Sequence, residues 1–236
     1  MLWNLWRAVV ASASVVVLFG ASARADGPDA RRDWNGLYLG LHAGSALIDA
    51  DWKGPAAVFG VNTFTVHPDG WLFGGHVGYN FQIGPWVFGP ELAYSHSTNL
   101  RDTAVGPVAA LPTDSFDTKI RDLFTATARV GYAMNSWMAY ARGGYANSEV
   151  TLSGLSGPPA AGVTFNTSER NGGWTIGAGA EVKLTRNVLL GFEYNFVRLE
   201  NSFATKTGGT SPNIPLHMDL DSDIHTMTGR LSILLN

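Results

Sequence analysis

The feature that most restricts what this chain can fold into is an alternation of side-chain character at every second residue, repeated in eight segments. Leu37, Leu39, Leu41 and Ala43 alternate with Gly36, Tyr38, Gly40, His42 and Gly44. Trp71, Phe73, Val77, Tyr79 and Phe81 alternate with Leu72, Gly74, His76, Gly78 and Asn80, and Trp86, Phe88, Pro90, Leu92 and Tyr94 with Val87, Gly89, Glu91, Ala93 and Ser95. The pattern returns over 124–132, 139–146, 174–184, 190–196 and 226–235. A period of two places successive side chains on opposite faces of an extended strand. Beyond Gly20 no run approaches the roughly 18 apolar residues of a membrane-crossing helix, whereas strands of about 9 to 11 residues cross lipid with just this alternation.

The eight predicted strands are joined alternately by short turns at Gln82 to Pro85, Met134 to Ser136 and Thr185 to Asn187, and by long polar stretches near 47–69, 97–117, 147–172 and 200–222. An even strand number with short and long connections in alternation is the plan of outer-membrane barrels, whose short turns face the periplasm and whose long loops face outside. With that polarity Trp34, Phe81, Trp86, Tyr132 and Trp137 fall at periplasmic ends, and Trp71, Tyr94, Tyr145 and Trp174 near extracellular ends. Two aromatic rings at the headgroup levels are expected of such a barrel. A soluble eight-stranded barrel would instead turn its apolar residues inward and cover the other face with Lys, Glu and Asp. Here the other face is mostly Gly, Ala, Ser and Thr, which suits a narrow, side-chain-filled lumen. The fold expected is all-β, an eight-stranded antiparallel transmembrane up-and-down barrel.

The small-residue face carries Glu91, Arg129, Arg142, Glu181, Lys183, Glu193 and Arg230. On the lipid face a basic residue at mid-depth would cost about 2 to 4 kcal/mol, so these seven belong to the lumen. Three acids and four bases in so narrow a space pair with one another, because an unpartnered buried charge is heavily penalised. They are read as a structural, salt-bridged network filling the barrel, not as an ion path or a carboxylate acid/base pair.

His42 and His76 also face inward on neighbouring strands, diagonal to each other. Without a carboxylate at ligand spacing they are read as hydrogen-bonded members of the polar lumen, with no metal and no cofactor assigned. Ser95-His96 invites comparison with a lipid hydrolase, yet no acid can be set beside it from sequence. Gly177-Ala178-Gly179 lies inside a strand with no helix after it and fails as a dinucleotide motif. The chain has no Cys, which removes disulfides, thiol nucleophiles and thiolate metal sites, and its net charge of -3 offers nucleic acid no basic surface. No catalytic residue is assigned, and the chain is read as no enzyme.

Ahead of the barrel, Arg7 precedes an apolar stretch from Ala8 to Gly20, followed by Ala23-Arg24-Ala25. This reads as an export signal, 1–25, cleaved after Ala25. Residues 26–33 then form a short periplasmic segment and 34–236 the barrel.

Several short motifs resemble the small porin-like outer-membrane proteins of alphaproteobacteria, within the broader OmpA-type eight-stranded group. They are Trp34-Asn-Gly36-Leu-Tyr38-Leu-Gly40, Gly74-Gly75-His-Val-Gly78-Tyr79-Asn80, Val87-Phe-Gly89-Pro-Glu91, Thr127-Ala-Arg129-Val-Gly131-Tyr132, Tyr140 with Gly143-Gly144, Gly173-Trp174 leading to Gly177-Ala-Gly179-Ala-Glu181, and Glu193-Tyr194. The resemblance implies a cell outer-membrane location and a structural, surface or weakly porin-like role. It implies outer-membrane lipid, lipopolysaccharide and the barrel assembly machinery as partners, with a small solute or haem bound in some members. Two positions depart from the family pattern. Leu235-Asn236 stands where a closing aromatic is usual, and Thr127 where a second basic residue is common.

Overall fold

A computed structural model describes residues 33–53, 63–66, 69–98, 101–105, 115–156, 163–206 and 215–235. The export signal and its cleavage site, and the segment 26–32, lie outside the described residues. Among the described residues there are ten strands: β1 (Gly36–Lys53), β2 (Thr63–Val66), β3 (Asp69–Ile83), β4 (Trp86–Thr98), β5 (Arg101–Val105), β6 (Ser115–Met134), β7 (Trp137–Ser156), β8 (Val163–Lys183), β9 (Val188–Lys206) and β10 (Pro215–Leu235). Eight of them run β1-β3-β4-β6-β7-β8-β9-β10, every neighbour antiparallel, and β10 pairs back onto β1 from Leu37↔Leu235 to Lys53↔Asp219. Through its lower part the sheet is therefore a closed barrel, each strand paired on both sides. The short β2 and β5 add to the extracellular ends of β1 and β6.

Two of the three short connections are two-residue turns, at Gly84-Pro85 and Asn135-Ser136. Each opens with a left-handed residue, Gly84 at φ 60° and Asn135 at φ 54°. Glycine and asparagine are the residues that take this conformation at least cost, and it matches the twist of a tight hairpin.

The two faces sort as the alternation requires. Leu37, Leu39, Leu41, Phe73, Val77, Phe88, Leu92, Val130, Ile176, Phe192, Leu231 and Ile233 are all exposed on the outer wall, Leu41 to 70 %. In lipid this belt is solvated by acyl chains, and its exposure in water terms is what a membrane wall looks like. Phe81, Trp86, Tyr132 and Trp137 ring the periplasmic end and Trp71, Tyr94, Tyr145 and Trp174 the extracellular end, all on the outer wall. Trp34 does not join the periplasmic ring as expected; it is fully buried inside the barrel mouth. It has the even parity of Gly36 and Tyr38, and that parity carries through the residues ahead of β1.

Where the long polar stretches are described, they are strand and not loop. Pairing continues through them, from Leu123↔Ser148 up to Ser115↔Leu155 between β6 and β7, and from Glu149↔Arg170 up to Ser156↔Val163 between β7 and β8. Above the lipid no apolar face is demanded, so the alternation fades there while the backbone ladder goes on. Pro90, lacking a ladder donor, sits where the β3–β4 pairing skips from Gly78↔Glu91 to Phe81↔Phe88 without a change of register.

Candidate functional site: a layered lumen

Six of the seven inward charges meet at mid-depth, each at most 6 % exposed: Glu91, Arg129, Arg142, Glu181, Glu193 and Arg230. Arg142 donates to Glu91 at 2.5 Å and to both oxygens of Glu193 at 3.0 and 3.1 Å. Arg230 donates to Glu91 Oε2 at 2.6 Å and, closely, to Glu193 Oε2. Arg129 reaches Glu181 at 3.3 and 3.4 Å and is held on its other side by Asn80 Oδ1 at 2.7 and 3.1 Å. Three arginines thus face three glutamates and the cluster is neutral. Charge-assisted bonds of this kind keep buried ions from the full desolvation penalty.

Two phenols complete the cluster. Tyr38 donates to Glu91 at 2.7 Å and Tyr140 to Glu193 at 2.6 Å. Each tyrosine is directly opposite a glycine, Gly78 and Gly179, and a Cβ at either place would collide with the phenol oxygen facing it. The glycines make the room into which the rings fold. Parity marks Tyr38 and Tyr140 as inward but gives no sign of their carboxylate partners, which lie 53 residues away in both cases.

The seventh charge, Lys183, stands apart from the cluster. It donates to the backbone carbonyl of Asp33 and lies 5.0 Å from the Trp34 ring. Around it the periplasmic end is filled by a buried apolar layer of Trp34, Tyr38, Val87, Met138, Tyr140, Leu189 and Leu234. The lumen is thus stopped by apolar packing at its periplasmic end and by the ion cluster above it.

The cluster is built twice over. The first four barrel strands supply Tyr38, Glu91 and Arg129, the last four Tyr140, Glu193 and Arg230. Asn80 and Glu181 hold matching places on β3 and β8, where both bind Arg129. The signal was present in the sequence as Gly89-Pro-Glu91 against Gly191-Phe-Glu193 and Thr127-Ala-Arg129 against Thr228-Gly-Arg230.

Toward the outside, Nδ1 of His42 lies 3.3 Å from Nδ1 of His76, His42 Nε2 is 2.8 Å from Ser95 Oγ, and His76 Nε2 is 2.8 Å from Ser232 Oγ. A cavity beside His42, lined also by Glu91, Arg142, Glu193 and Arg230, leaves about 30 Å³ for the centres of water-sized molecules. That is space for one or two waters and not for a larger solute. Ser95 and His96 lie on opposite faces of β4. Ser95 is buried against His42, while His96, on the outer wall, bonds Asp122 at 2.7 Å. The pair therefore offers no nucleophile and base in contact. Among the described residues no group of three or more His, Asp or Glu is arranged to hold a metal.

Residues 11–217 match the family described as the outer membrane protein beta-barrel domain. The 25 kDa outer-membrane immunogenic protein of Brucella canis is 32% identical over 76% of this chain and 72% of its own length. The 31 kDa outer-membrane immunogenic protein of Brucella melitensis is 30% identical over 83% of this chain and 87% of its own. Among solved structures, the outer-membrane protease OmpT of Escherichia coli aligns with TM-score 0.48 and 9% identity, covering 91% of this chain and 99% of that one. Neisserial surface protein A aligns with TM-score 0.40 and 11% identity, covering 85% and 97%.

Proposed function

Because this chain belongs to the outer membrane protein beta-barrel domain family and lies in the outer membrane, we propose that it is a non-enzymatic structural surface protein, closed to solutes. The observation that carries this reading is the double stopper of the lumen, an apolar layer at the periplasmic end beneath a neutral cluster of three arginines and three glutamates. A diffusion pore needs a continuous water path, and eight strands enclose only enough space for side chains. The apolar wall and its aromatic rings suit acyl chains and lipopolysaccharide as the surrounding partners, after insertion by the barrel assembly machinery. The relatives named above are called immunogenic; the long strands of this chain, carried past the lipid, suit the same display at the surface.

Reconstitution in planar bilayers tests this. The wild type is expected to show no large stable channel. Glu193→Gln, which leaves Arg142 and Arg230 short of a partner, is expected to add brief, noisy openings. A large, stable wild-type conductance unaltered by Glu193→Gln would show that the cluster does not close the lumen. Heat-dependent gel mobility of each preparation checks that the barrel is folded.

A further inference from the structure

We propose that His42 and His76 form a binding site inside the barrel for one borderline transition-metal ion of the Cu²⁺, Ni²⁺ or Zn²⁺ class. Two imidazole nitrogens bound tetrahedrally to Zn²⁺ at about 2.0 to 2.1 Å stand about 3.3 to 3.4 Å apart, and the two Nδ1 atoms stand 3.3 Å apart; the tetragonal preference of Cu²⁺ and Ni²⁺ draws the pair somewhat closer. The rings are only 30° from parallel, with centroids 5.5 Å apart. Coordination requires the rings to tilt until the two lone pairs converge to one side of the line between them.

The outer nitrogens are already committed to other partners. His42 Nε2 is held by Ser95 and His76 Nε2 by Ser232, both at 2.8 Å. Imidazoles that ligate metals are oriented in this way, by a hydrogen bond at the nitrogen that does not ligate. In the metal-free pair one Nδ1 carries a proton and donates to the other. With an ion bound, both Nδ1 atoms ligate and both Nε2–H groups donate to their serines, so the pair keeps two protons throughout. Gly40 belongs to the same arrangement, for a Cβ there would come within 2.6 Å of both His76 Nε2 and Ser232 Oγ.

Among the described residues no third His, Asp or Glu joins the pair. The ion's remaining positions are filled by water, for which the cavity beside His42 has room. That cavity shares Leu72, Ser95, Leu123 and Thr226 with a second one nearer the extracellular end. The neighbouring arginines are matched one for one by glutamates, so the ion meets a cluster of no net charge. The lumen does not need the histidines as packing, since the corresponding places in the other half of the barrel, Gly144 and Gly177, have no side chain.

The test uses the full, folded, tag-free barrel in detergent micelles, titrated calorimetrically with Cu²⁺, Ni²⁺ and Zn²⁺. One saturable equivalent per barrel is expected, tightest for Cu²⁺. His42→Gln and His76→Gln abolish it, while His96→Gln and His225→Gln on the outer wall leave it unchanged. Ser232→Ala keeps both ligands and is expected to weaken binding by about 10- to 100-fold. Paramagnetic resonance of the Cu²⁺-loaded wild type, which needs no variant to fold, is expected to show coupling to two nitrogens. Absence of saturable binding, coupling to fewer than two nitrogens, or undiminished binding in a folded His42→Gln/His76→Gln protein would overturn the proposal.

Discussion

The first four strands of the barrel and the last four place the same three side chains in the lumen, Tyr38, Glu91 and Arg129 in one half and Tyr140, Glu193 and Arg230 in the other. The halves differ in what surrounds them. Where the second half has Arg142 two residues beyond its tyrosine, the first has Gly40, and where the second has Glu181, the first has Asn80. Each half is neutral by itself, yet ion pairs also cross between them: Arg230 and Arg142 both reach Glu91, and Arg129 reaches Glu181. A shared skeleton of tyrosine, glycine and carboxylate therefore forms the stopper, and exchange of partners locks one half to the other. Positions that the skeleton does not use are free to diverge, which is where the His42–His76 pair arose.

The largest effect expected from breaking this arrangement is that of Arg230→Met, which strips a close partner from Glu91 and Glu193 together. It is expected to cost about 3 to 5 kcal/mol in urea unfolding of the lipid-reconstituted barrel. Arg129→Met should cost less, because its carboxylate contacts are longer, at 3.3 and 3.4 Å. Equal losses would mean that the cluster responds as one unit without regard to which half is cut.

Tyr38→Phe and Tyr140→Phe each remove one bond to a carboxylate and are expected to cost about 1.5 to 3 kcal/mol apiece. A difference above about 1 kcal/mol between them, seen in the same unfolding assay, would break the equivalence of the two halves. Smaller still are Gly78→Ala and Gly179→Ala, at about 1 to 3 kcal/mol from overpacking. Pairing each with its Tyr→Phe change should cost less than the sum of the two, because the crowded oxygen is gone. The least effect is expected of His42→Gln, about 0.5 to 1.5 kcal/mol for a hydrogen bond to a neutral serine. The second half, with Gly144 and Gly177 in the corresponding places, already shows that the stopper stands without them.

What is legible in the sequence follows from the lipid. A wall that must be apolar outside and small inside writes a period of two into every crossing segment, so the strand number, their faces and the inward charges can be read from residue order alone. Outside the lipid nothing enforces the pattern. Segments such as 147–156 and 163–172 read as polar loops and yet continue the ladder. Trp34 departs from its expected place for a related reason, since aromatic character suggests the ring while its even parity points inward. The pairing of Tyr38 with Glu91 is unreadable because it depends on ring direction across two strands. The separate place of Lys183 depends on a backbone carbonyl, which no residue pattern reveals.

The length of the strands has a mechanical consequence. β8 and β10 are 21 residues each, about 70 Å along the strand at roughly 3.3 Å per residue. Tilted by about 40°, they rise about 50 Å, against an apolar band about 25 Å tall. About half of each strand is therefore a collar outside the lipid, tied by backbone bonds to β7 along β8 and to β9 along β10. A large molecule approaching from outside meets side chains whose spacing is fixed by sheet register, drawn from strands distant in sequence. Recognition of such a collar follows the folded state, so heating that unzips the barrel should erase it even though every peptide of the chain remains.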